Sequence, residues 1–331
     1  MKTKFAVLAA FFQVSAFAQS SVTLYGVVDL SYGKTTGSTF QQYSAAHGGS
    51  HFGFRGTEDL GGGLRAHFDL QTNNFDASNG AASGLNFTRF SWVGLSGGFG
   101  EVKLGRNASS ATQSQVPFDI NVVPVTSAPY VVAISPVTWY GSSRRDAQIQ
   151  YLSPTVNGLN AGVSWIPAGT NSPRDKARTS VRVNYAQGPW AAGAVAETAK
   201  TDENRTAYAV GASYDGGHFK VTGGYAVAEK AQPKYTPPAS GVAATFAGAS
   251  AANPSGDGGG QGYYAGIAAP FGATRLGAQY ARNTASDTTA LELFAQYALS
   301  KRTYLYTDVV RVDFAKATDI TRYHAGIVHR F

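Results

Sequence analysis

Residues 64–71 read Leu-Arg-Ala-His-Phe-Asp-Leu-Gln, and the two-residue period of that run constrains the fold of this chain more than any other feature. In an extended strand successive side chains point to opposite faces. Leu64, Ala66, Phe68 and Leu70 then share one face, and Arg65, His67, Asp69 and Gln71 share the other. The pattern recurs: Val22, Leu24, Val28 and Leu30 oppose Thr23, Tyr25, Asp29 and Ser31, and Val181, Val183 and Tyr185 oppose Arg182 and Asn184. Between Tyr304 and Phe314 the parity breaks, so faces there cannot be assigned without a bulge. A charged face demands water or partners, while the opposite face is apolar.

Strand-like segments alternate with two kinds of connection. One is short: Asp59–Gly63, Ser96–Gly100, Asp215–Gly217, Pro270–Gly272 and Ser300–Arg302. The other is long and variable, at about 33–50, 73–86, 107–143, 167–177 and 229–260. Short turns at one rim and long loops at the other are the layout of a transmembrane β-barrel. We count about sixteen strand candidates, an even number, at roughly 20 residues per strand plus connector. Glycine at 39 residues, 12% aromatic and only 14% charged residues suit many short strands and turns better than helices.

The two ends agree. Lys2 and Lys4, the apolar run Phe5–Phe12 and Ala16-Phe17-Ala18 have the three parts of a secretory leader, which predicts a leader over 1–18 and a mature barrel over 19–331. The apolar run is too short to cross a bilayer as a helix. At the other end Tyr323, Ala325, Ile327, His329 and Phe331 alternate with His324, Gly326, Val328 and Arg330. A strand placed there needs a partner on both edges, which a closed barrel provides. A lipocalin-like secreted barrel would reverse the pattern, apolar inside and polar outside, and periodicity alone does not choose between them. The leader, the size and the terminal aromatic favour the bacterial outer membrane. The absence of cysteine removes disulfides, thiolate catalysis and thiolate metal sites. A net charge of +7 is too modest and dispersed to indicate nucleic acid.

The run Ser50-His51-Phe52-Gly53-Phe54-Arg55-Gly56-Thr57-Glu58-Asp59-Leu60-Gly61-Gly62-Gly63-Leu64-Arg65-Ala66 resembles the signature of the Gram-negative general porins. Ser21–Gly26 is similar to that family's mature start, and Ser96–Gly100, Leu104-Gly105-Arg106 and the ending at Phe331 continue the likeness. The resemblance is greatest to porins of the β-proteobacterial type. It implies a sixteen-stranded antiparallel barrel, usually a homotrimer, with the third long loop folded into the lumen. The chain suits that feature, because 107–143 is too long for a routine connection and carries Asp119 as its only charged residue. The resemblance also implies a constriction with a basic wall facing an acidic loop. Motif by motif, the wall falls on His51, Arg89 and Arg144, and the loop acid on Asp119.

Parity bears on the same positions. Phe52 and Phe54 outward put His51 and Arg55 inward, and Phe90 and Trp92 outward put Arg89 inward. Ala147, Ile149 and Tyr151 outward put Arg144, Asp146, Gln148 and Gln150 inward. Arg65 joins Arg55 and Asp146 as a lumen-facing candidate. His51 departs from the arginine usual in relatives, so the wall is expected to be weaker at neutral pH than one of three arginines. Positive groups in a narrow aperture favour anions. Phe331 resembles the terminal recognition residue of barrels awaiting assembly. The expected function is therefore a general diffusion channel for small hydrophilic solutes with anion preference, and no cofactor. The expected partners are two further copies of the chain, the bilayer, lipopolysaccharide and the barrel-assembly machinery.

Alternatives are a channel specific for an anionic solute, an adhesin-type barrel and an outer-membrane phospholipase. A sugar channel would show a lumenal aromatic ladder, which the pattern does not present cleanly. Gly94-Leu95-Ser96-Gly97-Gly98 matches a nucleophile-elbow spacing, but a glycine turn leads it into another strand instead of a helix. His47 and His51 have a metal-ligand spacing only on a helix, and this segment reads as loop then strand.

Overall fold

The structure is a computed structural model that describes residues 21–44, 46–72, 77, 86–121, 144–169, 177–199, 205–228, 260–284, 287–314 and 318–331. The expected leader and much of the connections at 73–86, 107–143, 167–177 and 229–260 lie outside the described residues. The first strands are β1 (Ser21–Thr35), the short β2 (Gln41–Tyr43), β3 (His51–Gly61), β4 (Leu64–Gln71), β5 (Phe90–Gly97) and β6 (Gly100–Ala108). A short helix α1 (Ser110–Gln115) and a 3-10 turn (Val116–Phe118) follow. Then come β7 (Arg144–Leu152), β8 (Leu159–Ile166), β9 (Arg178–Gln187), β10 (Trp190–Ala199), β11 (Arg205–Asp215) and β12 (Lys220–Ala228). The last are β13 (Gly260–Phe271), β14 (Thr274–Asn283), β15 (Thr288–Ala298), β16 (Thr303–Asp313) and β17 (Ile320–Arg330).

Apart from β2, these are sixteen long strands, each paired antiparallel with its neighbours in chain order. β1 closes the circuit. Its first half, Ser21–Val27, pairs with β3, and its second half, Val27–Thr35, pairs with β17. That stagger is the shear a tilted barrel requires, and it leaves no free edge. Phe331 and Gly26 complete the seam with reciprocal backbone hydrogen bonds of 3.1 Å each. The fold is thus a closed sixteen-stranded antiparallel β-barrel.

The alternation sorts the side chains as the periodicity predicts. Leu24, Val93, Leu104, Leu291 and Ile327 face outward with 42–55% of their surface exposed. In water each would forgo stabilisation on the order of 1 kcal/mol, whereas a lipid bilayer is the solvent such a belt fits. Trp190, Tyr297 and Tyr323 stand on the same outer face, where interfacial aromatics belong. β16 departs from the expectation of a bulge. Its register with β15 and β17 is unbroken, with Leu305, Val309 and Arg311 outward and Tyr306, Asp308, Val310 and Val312 inward. The parity looked broken because Val310 and Val312 are apolar residues on the inner face. They join an interior cluster with Ala209, Ala226, Tyr264, Ala281 and Ala290.

Candidate functional site

The lumenal wall is built from alternate residues of these strands. At the top of β3, His51 is 8% exposed and shares a row with Val27 and Arg330 across β1. Its Nδ1 lies 2.7 Å from the Gly49 carbonyl oxygen. A carbonyl only accepts, so Nδ1 carries a proton in this geometry. Arg89 precedes β5, and its backbone N–H donates to the Gln71 carbonyl at 3.1 Å. The guanidinium groups of Arg89, Arg144 and Arg330 all lie close enough for their charges to act on the His51 ring. Below them Arg55 faces the lumen with its guanidinium 4.9 Å above the Tyr25 ring. Arg65 is on the same face of β4 and is exposed.

Two assignments of face require correction. Phe90 and Trp92 point inward: Phe90 pairs with inward Gln71, and Trp92 with inward Asp69, while Val93 and Leu95 are the exposed outward residues. The run Phe-Ser-Trp-Val-Gly-Leu is apolar in both phases, so its alternation has no unique reading. Arg89 reaches the lumenal cluster from a bend ahead of the strand, outside the alternation. The second correction is in β7. Gln148 and Gln150 are buried on the inner face, but the ladder with β6 slips between Gly105 and Asn107, and Ala147 adopts φ 48. This irregularity moves the phase by one residue. Arg145 takes the inward position and pairs with Glu197 at 2.8 Å. Asp146 turns to Arg106 as an ion pair, while the Arg144 guanidinium sits 5.8 Å from the centroid of inward Phe90.

Two segments lie against this wall. Residues 110–121, within the described part of the 107–143 connection, contact inward residues of several strands. Ser110 Oγ is 2.7 Å from Ser164 Oγ on β8. Phe118 lies over Gly193 and Gly211, where a Cβ would come within 2.9 and 2.4 Å of its ring. Ile120 is fully buried with Ala268 and Phe294. Asn121 Nδ2 donates to Glu292 Oε1 at 2.5 Å. Asp119 is only 2% exposed and accepts the Asn121 backbone N–H at 3.0 Å. Its charge acts on Arg275 and Tyr264, so it faces that wall and is shielded from open solvent.

The other segment, residues 46–50, is held by Asp29. Its Oδ2 accepts backbone N–H groups of His47, Gly48 and Gly49 at 2.8, 2.7 and 3.3 Å, and its Oδ1 accepts the Tyr306 hydroxyl at 2.8 Å. The His47 ring stacks on Tyr306, centroids 4.5 Å apart. Burial, together with the charges of Arg330 and Arg322, holds its pKa down at about 3, so the ring is neutral. Gln296 Nε2 lies 3.3 Å from His47 Nε2 and donates to Asn121 Oδ1 at 2.8 Å, joining the two segments through β15.

Inward charges are unequally accessible. The acids Asp29, Glu197, Glu292 and Asp308 are at most 3% exposed. Asp69 accepts the Tyr25 hydroxyl at 2.5 Å, and Glu101 holds Lys103 at 2.8 Å and His67 at 3.2 Å. Arg55 and Arg65, by contrast, are exposed to the lumen. Among the described residues no group of acidic, histidine or cysteine side chains forms a metal cluster. Sequence reasoning missed Arg145, the Asp29 clasp and the inward Phe90 and Trp92. The inward phase of Asp29 was readable, but the backbone amides it collects were not.

A family model described as Gram-negative porin matches residues 5–317. An outer membrane porin protein of Delftia acidovorans is 39% identical over 169 residues, 48% of this chain and 47% of that protein. One of Bordetella pertussis is 31% identical over 184 residues, 48% of this chain and 46% of that protein. The chain thus spans about half the length of these curated relatives in alignment. Among solved structures, an anion-selective porin from Comamonas acidovorans superposes with a TM-score of 0.74 at 26% identity, covering 95% of this chain and 100% of that one.

Proposed function

Because the chain belongs to the Gram-negative porin family, whose barrels sit in the outer membrane, we propose that it forms a water-filled diffusion channel for small hydrophilic solutes, with a preference for anions. A channel of this kind breaks no bonds; it works through an aperture and a field. The observation that carries the anion preference is the unequal access of inward charges. Asp29, Glu197 and Glu292 are buried in hydrogen bonds or ion pairs and Asp308 is buried as well, while Arg55 and Arg65 are exposed on the inner face. An ion in transit then meets Arg55 and Arg65 ahead of these four acids.

In this reading His51, Arg89 and Arg144 form the basic wall of the constriction, supported by the proximity of both arginine charges to the His51 ring. Residues 110–121 belong to the constriction loop, supported by their contacts with the inner wall. Asp119 is then a loop anchor beside Arg275, and Arg145 and Asp146 are wall braces. Phe331 closes the barrel and serves as its assembly signal, and residues 1–18 act as the leader. The homotrimer, lipopolysaccharide and the barrel-assembly machinery are the partners this reading carries with it, and the exposed apolar belt supports a lipid or protein neighbour on the outer face.

The test is a planar-bilayer recording of the purified protein under a potassium chloride gradient. The reversal potential is expected to have the chloride-selective sign. A potential of the opposite sign would sink the anion preference while leaving the channel intact.

A further inference from the structure

Among the described residues five lumen-side cations lie over aromatic rings, and three of these pairs share adjoining strands. The Arg55 guanidinium is 4.9 Å above Tyr25, the Lys103 ammonium 4.5 Å from the Trp92 ring centre, and the Arg144 guanidinium 5.8 Å from that of Phe90. Registers place them together. Tyr25, Gly53, Gln71 and Phe90 are successive partners across β1, β3, β4 and β5, and the next inward row holds Arg55, Asp69 and Trp92. Gly53 stands between the rings without a side chain. Rows two residues apart are separated by about 7 Å and neighbouring strands by about 4.8 Å, so Tyr25 and Phe90, three strand spacings apart, lie about 14 Å from each other, a track roughly two substituted benzene rings long. The rings are also braced. Tyr25 donates to Asp69 at 2.5 Å and accepts from Gln71 at 3.1 Å, and the His67 ring meets Trp92 edge-on at 5.5 Å. Rigid aromatic surfaces beside fixed cations are a preorganised binding arrangement.

Chloride diffusion by itself calls for cations and leaves these inward aromatics without a role. A carboxylate attached to a flat ring uses both elements. Its charge meets the guanidinium edges, and its ring lies along an aromatic face or over a guanidinium plane. We propose that this face of the lumen, Tyr25, Phe90 and Trp92 with Arg55, Lys103 and Arg144, is a binding track for aromatic carboxylates. The inference rests on the anion-preferring channel proposed above and names a solute class for it. Saturated carboxylates of equal charge pass the same cations without the planar contact.

The experiment is block of potassium chloride current through the reconstituted protein by benzoate, with cyclohexanecarboxylate as the non-planar acid of similar size. Benzoate is expected to reach half-block at a concentration roughly three- to ten-fold lower, the worth of a ring–ring contact. Phe90→Leu and Trp92→Leu, each made separately, are expected to bring that ratio towards one. Equal block by the two acids in the unmodified protein overturns the track without recourse to any variant. A ratio unchanged in both variants overturns the assignment to these rings. The chloride reversal potential is read separately, so a failure of the anion preference is distinguishable from a failure of the track.

Discussion

Gly26 shows how much one residue can carry. It faces outward on β1, and the Phe331 ring lies across it at the seam. A Cβ there would come within 2.5 Å of Phe331 Cζ and 2.7 Å of the His51 carbonyl oxygen. The backbone at that carbonyl cannot retreat without opening the β1–β3 ladder. Gly26→Leu is therefore expected to destabilise the folded barrel by about 1–3 kcal/mol, read as a lower urea midpoint for the refolded protein. An unchanged midpoint would show that the seam tolerates bulk. Asp29 is the inner counterpart. One carboxylate satisfies three backbone amides and a tyrosine hydroxyl, charge-assisted bonds stronger than neutral ones. Neither role is visible from residue type alone.

Among elements, α1 and the turn after it matter most for the channel. Ser109 caps α1 by accepting the Thr112 N–H at 3.2 Å, a local signal of the usual kind. Six residues of helix do not hold themselves together in isolation; the segment is fixed by Phe118 and Ile120 against bare strand backbone at Gly193, Gly211 and Gly266. Gly211→Val would occupy the space of the Phe118 ring and displace the segment from the wall. We expect a changed single-channel conductance from a barrel that still inserts, and an identical conductance would count against 110–121 shaping the aperture. The element-level errors of sequence reading have the same source. β5 is apolar on both faces because its inner face carries Phe90 and Trp92 beneath cations. β7 changes phase at Ala147, whose positive φ no glycine announces.

At the scale of the molecule, the relevant quantity is the field summed over the wall. Fields between solvent-exposed charges are screened over about 10 Å at 0.1 M salt and about 3 Å at 1 M. Selectivity set by exposed residues such as Arg55 and Arg65 should therefore decline with salt. The chloride-to-potassium permeability ratio is expected to fall towards one between 0.1 and about 1 M potassium chloride; a constant ratio would point to a narrow, desolvated filter instead.

The alternation of Leu64–Gln71, the short and long connections and the number of segments were enough to indicate a barrel of about sixteen strands, and the leader, the size and the terminal aromatic were needed to turn its apolar face outward. A two-residue period is a local property of backbone geometry, and every strand repeats it. The second-strand motif was likewise enough to indicate the family. The neighbours of the inward residues were decided by register, shear and the contacts that 46–50 and 110–121 make with the strands. These involve partners far apart in sequence, such as Asn121 with Glu292 or Asp29 with Tyr306. A one-residue slip, as in β7, exchanges lumen for lipid without altering composition. Only the closed tertiary structure therefore determined that Arg145 takes the inward ladder position with Glu197, that Asp119 is buried, and that aromatic rings lie beneath the lumenal cations.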